Sequence, residues 1–216
     1  MEMKASMLWA TPLVEVINPQ HAGIKEDLVA YARQRERQAK AAIESGVTPA
    51  KKQGLYESTF DLFRQDVPAV RQLAQFCAQA VGQCVYTLRQ QASGGREAVP
   101  ALGVEIHESW IHITRDGGQH EIHNHPNCSW CGIYYVDIGD CTLDPPNGVN
   151  RFFPPIDIQY EDEGTMAYPK KPVSYPPANG KLVLFPSYVR HSAATYRGQR
   201  ERVLVAFNAR IGIPRV

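Results

Sequence analysis

The sequence predicts a mainly β domain preceded by helices, because the spacing of its apolar residues changes near Gly94. Before Gly94, apolar residues recur at helical spacing along two long segments. After Val99, short runs rich in Val, Ile, Tyr and Phe alternate with Gly, Pro and Asn, as strands alternate with turns. We therefore divide the chain into residues 1–95, an N-terminal segment with supporting helices, and residues 96–216, the β core, within one structural domain overall.

The helical half is predicted to contain two long helices. The first covers residues 24–45 and ends at Gly46, and its charged stretch Arg33–Lys40 is expected to face solvent. The second begins at Asp66, which would cap it, with Pro68 in the first turn.

The β half is predicted to contain six strands. They cover residues 104–114, 120–124, 130–137, 157–161, 181–185 and 202–210. Half of the 16 prolines fall between Pro145 and Pro177, which excludes a helix there and indicates a long loop region around the fourth strand. A long loop on a β scaffold is a candidate lid over a substrate site.

Composition narrows the class of protein. The chain has 216 residues, 44% of them apolar, and a formal net charge of +1, so we expect a globular protein that binds neither nucleic acid nor membrane. No apolar run is long enough to span a bilayer, and the first residues do not resemble a signal peptide. The five cysteines are therefore expected to be reduced, in a cytoplasmic protein.

The histidines are the strongest chemical signal. Five of the seven lie within residues 107–125, and His123 and His125 alternate as residues on one face of a strand do. His191, after the apolar run 181–186, would add a third imidazole from another strand. Three neutral imidazoles with open positions would suit iron, zinc, copper or nickel. His107, His112 and His120 have no such spacing partner and are interpreted as surface or hydrogen-bonded core residues.

Arg202 is the second signal. It begins the apolar run 202–207, and a guanidinium buried there needs an anionic partner. A bidentate carboxylate cosubstrate lying between the metal and Arg202 would meet that need, and an ordinary pair with Asp or Glu would meet it as well.

Together these residues resemble the family of iron(II)/2-oxoglutarate-dependent oxygenases found mostly in bacteria and phages. The resemblance covers nearly the whole chain, opens at Leu8–Pro12, and continues in an ordered set of motifs. These are Ser109-Trp110, His123-Asn124-His125-Pro126-Asn127, Gly132-Ile133-Tyr134-Tyr135-Val136, Asp144-Pro145, Leu184-Phe185-Pro186-Ser187, His191-Ser192, Arg202 and Phe207-Asn208.

The resemblance implies a double-stranded β-helix, a jelly-roll barrel like that of the cupins, with iron(II) at its mouth and 2-oxoglutarate as cosubstrate. It implies that His123 and His191 are iron ligands and that Arg202 binds the far carboxylate of 2-oxoglutarate. Where the wider superfamily has a carboxylate after the first histidine, this chain has His125, which gives a three-histidine set. Where the wider pattern has a serine, this chain has Leu204, and Tyr135 is the candidate for supplying the missing hydroxyl.

The close family tends to read Asp-Pro-Arg where this chain has Asp144-Pro145-Pro146. Three functions remain open at the level of sequence. The first is an iron(II)/2-oxoglutarate-dependent dioxygenase, a hydroxylase that uses molecular oxygen on a small-molecule or peptidyl substrate. The second is a cupin-like three-histidine metal enzyme, a dioxygenase or isomerase, that does not use 2-oxoglutarate and leaves Arg202 unexplained. The third is a non-enzymatic zinc module, supported only by Cys128 and Cys131 beside the histidines.

Overall fold

The structure is a computed structural model that describes residues 10–44, 54–96, 98–156, 162–163 and 171–213. Two helices, α1 (His21–Glu44) and α2 (Pro68–Ala92), and a 3₁₀ turn at Leu62–Arg64 accompany ten strands. The strands are β1 (Val14–Ile17), β2 (Leu55–Glu57), β3 (Gly103–Thr114), β4 (His120–His123), β5 (Trp130–Asp137), β6 (Asn150–Phe152), β7 (Val173–Ser174), β8 (Lys181–Pro186), β9 (His191–Ala193) and β10 (Arg202–Gly212).

The strands form two sheets. The larger has the order β1-β8-β5-β10-β3-β2 and the smaller the order β4-β9-β6-β7. All of their pairings are antiparallel. Neighbours in the larger sheet are far apart in sequence, so the chain crosses repeatedly between strands, as it does in jelly-roll folds.

The alternation of side chains along the larger sheet separates two cores. One face carries residues such as Ile113, Tyr134 and Val205, which pack with the buried sides of α1 and α2. The other face carries residues such as Tyr135, Phe185 and Leu204, which pack with Phe152 of β6 and Tyr175. The helices therefore cover the outer face of the larger sheet, and its inner face is turned to the smaller sheet.

The mainly β prediction with two N-terminal helices is confirmed, while several boundaries differ. The N-cap of helix α2 is Val67, one residue after the predicted cap Asp66, and the helix starts with Pro68. Proline fits the first helical turn because its position there needs no N–H partner. The predicted strands did not include β1, β2, β6, β7 and β9. All five have only two to four residues, too few for a visible alternation. The predicted strand 157–161, Gly46 and the start of Leu8–Pro12 lie outside the described residues.

The charged stretch on α1 is not wholly exposed as predicted. Glu36 is buried, and its carboxylate accepts two hydrogen bonds from the guanidinium of Arg115, at 2.8 and 2.7 Å. Arg115 also binds Glu201, which lies just before β10. This ion-pair network connects α1 to the larger sheet. Neither this helix nor any other among the described residues combines the length and apolarity needed to cross a membrane.

The division at residue 95 stays a prediction, because strands on both sides of it belong to one sheet. Strand β1 pairs with β8, and β2 pairs with β3. The segment before residue 95 therefore contributes both edge strands of the larger sheet as well as the helices that cover it.

Candidate metal centre

Three histidines meet between the sheets. His123 ends β4 and lies directly opposite His191, the first residue of the antiparallel strand β9, with ring centroids 4.3 Å apart. His125 follows β4, and its ring lies 5.0 Å from that of His123 and 5.3 Å from that of His191. One nitrogen of each ring lies within 4.8 Å of one nitrogen of both others, a spacing that a single metal ion can bridge.

Backbone carbonyls orient two of these rings. Nδ1 of His123 lies 2.8 Å from the carbonyl oxygen of Glu121, and Nδ1 of His191 lies 3.1 Å from that of Val189. A carbonyl only accepts, so each Nδ1 carries the proton and donates it. The lone pair of each ring is then on Nε2, and such second contacts are typical of histidines that bind metals.

The site favours uncharged imidazoles. Burial, followed by the neighbouring His123, lowers the pKa of His191 to about 3, and the same causes in the same order lower the pKa of His125 to about 4. Because metals bind the neutral form of histidine, both rings are in the competent charge state at neutral pH. The donor set therefore fits a divalent transition-metal ion, and a three-imidazole set leaves positions for other ligands.

His125 differs from its neighbours in its hydrogen bond. The side-chain amide of Asn208 donates to Nδ1 of His125 over 3.4 Å, and the same amide group donates to Glu108 at 2.7 Å. The other end of Asn208 accepts from the thiol of Cys131 at 3.5 Å. These partners hold Asn208 in the orientation that makes Nδ1 of His125 an acceptor, so His125 must change tautomer before it can bind a metal through Nε2.

Arg202 lies in the same cavity as the three histidines and is 2% exposed. Its Nη2 donates to the side-chain oxygen of Asn150 at 2.8 Å, but its Nε is buried and has no hydrogen-bond partner. Among the described residues, no carboxylate forms an ion pair with Arg202. A buried guanidinium with an unsatisfied donor is the arrangement that a carboxylate ligand would complete.

Tyr135 lies behind Arg202 rather than at the cavity wall. The ring of Tyr135 is 6.0 Å from the guanidinium carbon of Arg202, and its hydroxyl donates to the side-chain oxygen of Asn150 at 2.9 Å. Tyr135 is fully buried and is not among the residues that line the cavity. A direct contact between Tyr135 and a cosubstrate stays a prediction, and it would require the hydroxyl to leave Asn150.

Two residues of this site were missed by sequence reasoning. Asn150 of β6 accepts hydrogen bonds from both Arg202 and Tyr135. Ser192 lines the cavity next to His191, and its buried hydroxyl has no hydrogen-bond partner. No pattern in the sequence indicates Asn150, whereas Ser192 follows His191 in a motif of the family and could have been proposed as a ligand-binding hydroxyl.

The cysteines beside the site form a contact pair. Sγ of Cys128 lies 3.6 Å from Sγ of Cys131, and the five cysteines are all free thiols. Among the described residues, neither thiol belongs to a group of three side chains that could bind one metal ion. The zinc-module interpretation therefore lacks a ligand set in these residues.

Comparison with known proteins finds a family whose model matches the β core. Residues 108–208 match a protein family described as "Putative 2OG-Fe(II) oxygenase". The match begins in β3 and ends in β10, so it contains all three histidines and Arg202. A search of curated proteins returned no match.

Several solved structures share this fold. A prolyl-4-hydroxylase from Pseudomonas putida is 17% identical, with a TM-score of 0.53 over 95% of this chain and 96% of that one. A 2OG-Fe(II) oxygenase family oxidoreductase from Burkholderia pseudomallei is 13% identical, with a TM-score of 0.53 over 92% and 84%. The epimerase SnoN, solved with Fe3+ and alpha ketoglutarate, is 13% identical, with a TM-score of 0.56 over 94% and 81%. The predicted double-stranded β-helix is thereby confirmed.

Proposed function

We propose that this chain, whose residues 108–208 match the family of 2OG-Fe(II) oxygenases, is a hydroxylase with a three-histidine iron site. The enzyme class, iron(II) and 2-oxoglutarate follow from the family. The assignment of His123, His125 and His191 as iron ligands, and of Arg202 as the cosubstrate-binding residue, is our proposal.

The unsatisfied Nε of Arg202 is the observation that carries the proposal. It is buried in a cavity lined by the three histidines, on a strand face that continues with the apolar residues Leu204 and Ala206. The far carboxylate of 2-oxoglutarate would accept from Nε and from a terminal nitrogen of the same guanidinium. The near end of the cosubstrate would then point towards the histidines.

Iron with 2-oxoglutarate supplies the chemistry that couples oxidative decarboxylation of the cosubstrate to the oxidation of a C–H bond by molecular oxygen. The protein contributes position. The carbonyls of Glu121 and Val189 hold two imidazoles in the metal-binding tautomer, and Asn150 keeps Arg202 aimed into the cavity. The apolar inner face of β5, β8 and β10 keeps water away from the buried end of the site.

The second interpretation, a cupin-like three-histidine enzyme that does not use 2-oxoglutarate, accounts for the histidines equally well. It gives no partner to the Nε of Arg202, which would then remain a buried unsatisfied donor at a cost of about 1–3 kcal/mol. We therefore favour the 2-oxoglutarate-dependent function.

We propose that the oxidised substrate is a small molecule or a peptidyl side chain, and that the enzyme works in the cytoplasm. The five cysteines are free thiols in the structure, which supports a reducing compartment. Fractionation of cells that express a tagged chain from its own start codon would test the location, and recovery with an exported fraction would contradict it.

The test of the function is an anaerobic titration of iron(II)-loaded protein with 2-oxoglutarate, followed by the metal-to-ligand charge-transfer band. Wild type should bind, and Arg202→Ala should bind about ten- to a hundredfold more weakly, since a charge-assisted hydrogen bond contributes roughly 1.5–3 kcal/mol. Arg202→Lys should not restore binding, because an ammonium group lacks the two-pronged geometry. Arg210→Ala, an exposed arginine on the same strand, is the matched control and should bind as wild type does.

Two results would contradict parts of the proposal. If wild type does not bind 2-oxoglutarate, the cosubstrate-independent three-histidine enzyme becomes the better function. If Arg202→Ala binds as tightly as wild type, then Arg202 does not hold the cosubstrate.

A further inference from the structure

A second group of metal-ligating side chains lies beside the first. It consists of Glu57 on β2, His112 on β3 and His120 on β4, whose ligand atoms lie within 4.8 Å of one another. Oε2 of Glu57 lies 2.7 Å from Nε2 of His112 and 3.3 Å from Nε2 of His120. The rings of His120 and His123 are 4.7 Å apart, so the two groups are neighbours.

The contacts of His112 are incompatible with an ordinary hydrogen-bond pattern. The indole N–H of Trp110 lies 3.0 Å from the same Nε2 that faces Glu57. An indole N–H can only donate and an ionised carboxylate can only accept, whereas Nε2 of a neutral imidazole either donates or accepts. If Nε2 accepts from Trp110, two acceptors face each other over 2.7 Å, and if it donates to Glu57, two N–H groups face each other.

Protonation of His112 does not resolve this conflict, because it leaves the indole N–H opposed to an N–H. A shared proton on Glu57 would satisfy the pair with His112 alone. A cation at Nε2 of His112 would also leave the indole N–H of Trp110 without an acceptor there, so the observation that favours a cation is the convergence of all three ligand atoms, including Nε2 of His120.

We propose that Glu57, His112 and His120 form a second site for a divalent first-row transition-metal cation. Two imidazoles and one carboxylate are a donor set typical of iron(II) and zinc sites with open positions for water or another ligand. This proposal does not rest on the proposed hydroxylase function, because none of its three ligands is a proposed iron ligand, although His112 and His120 line the same cavity as the three histidines.

The topology indicates what this cation would do. Glu57 and His112 belong to the larger sheet, and His120 belongs to the smaller one. Strand β4 has only four residues and pairs irregularly with β9, so a cation would fix its start to the larger sheet. Because His123 ends the same strand, the second site would also help to position the first.

Electrostatics predicts unequal affinities. His112 feels the positive charge of Arg202, and the three-histidine site has no negative ligand to offset its own metal. The second cation should therefore bind more weakly than the first, because it lies near these positive charges. The carboxylate of Glu57 would offset part of that repulsion.

The test is equilibrium dialysis of the whole metal-free chain against Co2+, with the bound metal counted by mass spectrometry. Wild type should bind about two Co2+ per chain, and Glu57→Gln and His120→Gln about one, since each loses a ligand of the second site. His123→Ala should also retain about one, held by the second site. Glu105→Gln and His107→Gln, on β3 outside both groups, should bind as wild type does.

Visible spectra distinguish loss of a ligand from loss of the fold. The ligand-field bands of Co2+ should contain a component that is absent from Glu57→Gln and present in His123→Ala, while circular dichroism confirms that each variant is folded. Anomalous scattering at the cobalt edge from wild-type crystals gives an independent answer if a variant does not fold.

Each outcome decides the proposal. If wild type binds about one Co2+ and Glu57→Gln retains it, the three residues share a proton and the second site does not exist. If the single ion is instead lost from Glu57→Gln and kept by His123→Ala, the second site stands and the proposed location of the iron is wrong. An anomalous map with no peak between Glu57 and His112 would overturn the proposal on its own.

Discussion

His123 and His191 face each other across two antiparallel strands, with ring centroids 4.3 Å apart. Their Nδ1 atoms both donate to carbonyls within their own loops or strands, so the pair is oriented before any metal arrives. A pair organised in this way should contribute most of the iron affinity, because little rearrangement accompanies binding.

The first prediction is that His123→Ala and His191→Ala each weaken iron(II) binding by more than about a hundredfold. Loss of a residue that only hydrogen-bonds to a metal ligand typically weakens metal binding by about 10–100-fold, and loss of a ligand should weaken it more. Anaerobic titration with iron(II) measures the change. His107→Ala is the control, since His107 lies outside both groups of ligands and should keep the affinity of wild type. If His123→Ala retains full affinity for iron(II), then the iron binds elsewhere in the protein.

The second prediction concerns the weaker position of His125. Because Asn208 donates to its Nδ1, His125 must lose that hydrogen bond and carry its proton on Nδ1 when it binds iron through Nε2. We expect His125→Ala to weaken iron binding less than His123→Ala does. Asn208→Ala, which removes the competing donor, should strengthen iron binding by a few fold, on the scale of one hydrogen bond of about 0.5–1.5 kcal/mol.

Both measurements use the iron titration described for the first prediction. If Asn208→Ala weakens iron binding, then Asn208 supports His125 rather than competing with the metal. If His125→Ala has no effect at all, His125 is a neighbour of the site and not a ligand.

The third prediction tests the support of Arg202 by Asn150. Asn150→Asp keeps an acceptor for Arg202 and Tyr135 but places a carboxylate 2.8 Å from Nη2 of Arg202, where it competes with the cosubstrate. We expect 2-oxoglutarate to bind at least roughly tenfold more weakly, since about 1.4 kcal/mol corresponds to that factor. Iron affinity should not change. Asn179→Asp, a loop substitution outside the cavity, is the control and should bind 2-oxoglutarate as wild type does. If Asn150→Asp binds 2-oxoglutarate as tightly as wild type, then Arg202 does not bind the cosubstrate.

The sequence carried more information about the larger sheet than about the cavity. Strands β3, β5, β8 and β10 were predicted within a few residues, because their apolar runs are long and their side chains pack on both faces. Strand β6 has three residues, and its first, Asn150, has a role that depends on Arg202, 52 residues away. Contacts of that kind depend on how the sheets face each other, which local patterns do not encode.

The histidines show the same limit. The spacing of His123 and His125 made them candidates for one metal site, and the structure brings both together with His191, since both are near one strand. In the other group, His112 and His120 were interpreted as surface or hydrogen-bonded core residues and Glu57 was not considered, because the three residues come from three strands. Only the pairing of β2 with β3, and the position of β4, brings them together.

The fourth prediction explains the glycine of the motif Gly132-Ile133-Tyr134-Tyr135-Val136. A Cβ at Gly132 would overlap the ring of Phe207, which is fully buried on the neighbouring strand β10. We expect Gly132→Ala to lower the free energy of unfolding by about 1–3 kcal/mol, the usual cost of overpacking. Gly212→Ala is the control, because a Cβ there would meet no atom within 4 Å. Equal melting temperatures for the two variants would contradict the explanation.

The fifth prediction concerns the buried carboxylate of Glu36. Burial raises its pKa, but the hydrogen bonds and charge of Arg115 outweigh burial and hold the pKa of Glu36 below its ordinary value. A carboxyl group whose pKa is lower in the folded than in the unfolded state stabilises the fold above the unfolded pKa. That contribution is lost as the pH falls from about 4.5 towards the folded pKa.

Glu36→Gln should therefore lower the free energy of unfolding at pH 7 by about 1–2 kcal/mol, a value reduced for the solvent-exposed part of Arg115. For a chain of this size the melting temperature should fall by roughly 2–8 °C. Below pH 4 the difference between Glu36→Gln and wild type should shrink, because wild type loses the same charge. Glu26→Gln, an exposed position on the same helix, is the matched control. Thermal unfolding from pH 7 to pH 3 measures both variants, and a difference that persists unchanged at pH 3 would mean that Glu36 stabilises the fold by packing rather than by its charge.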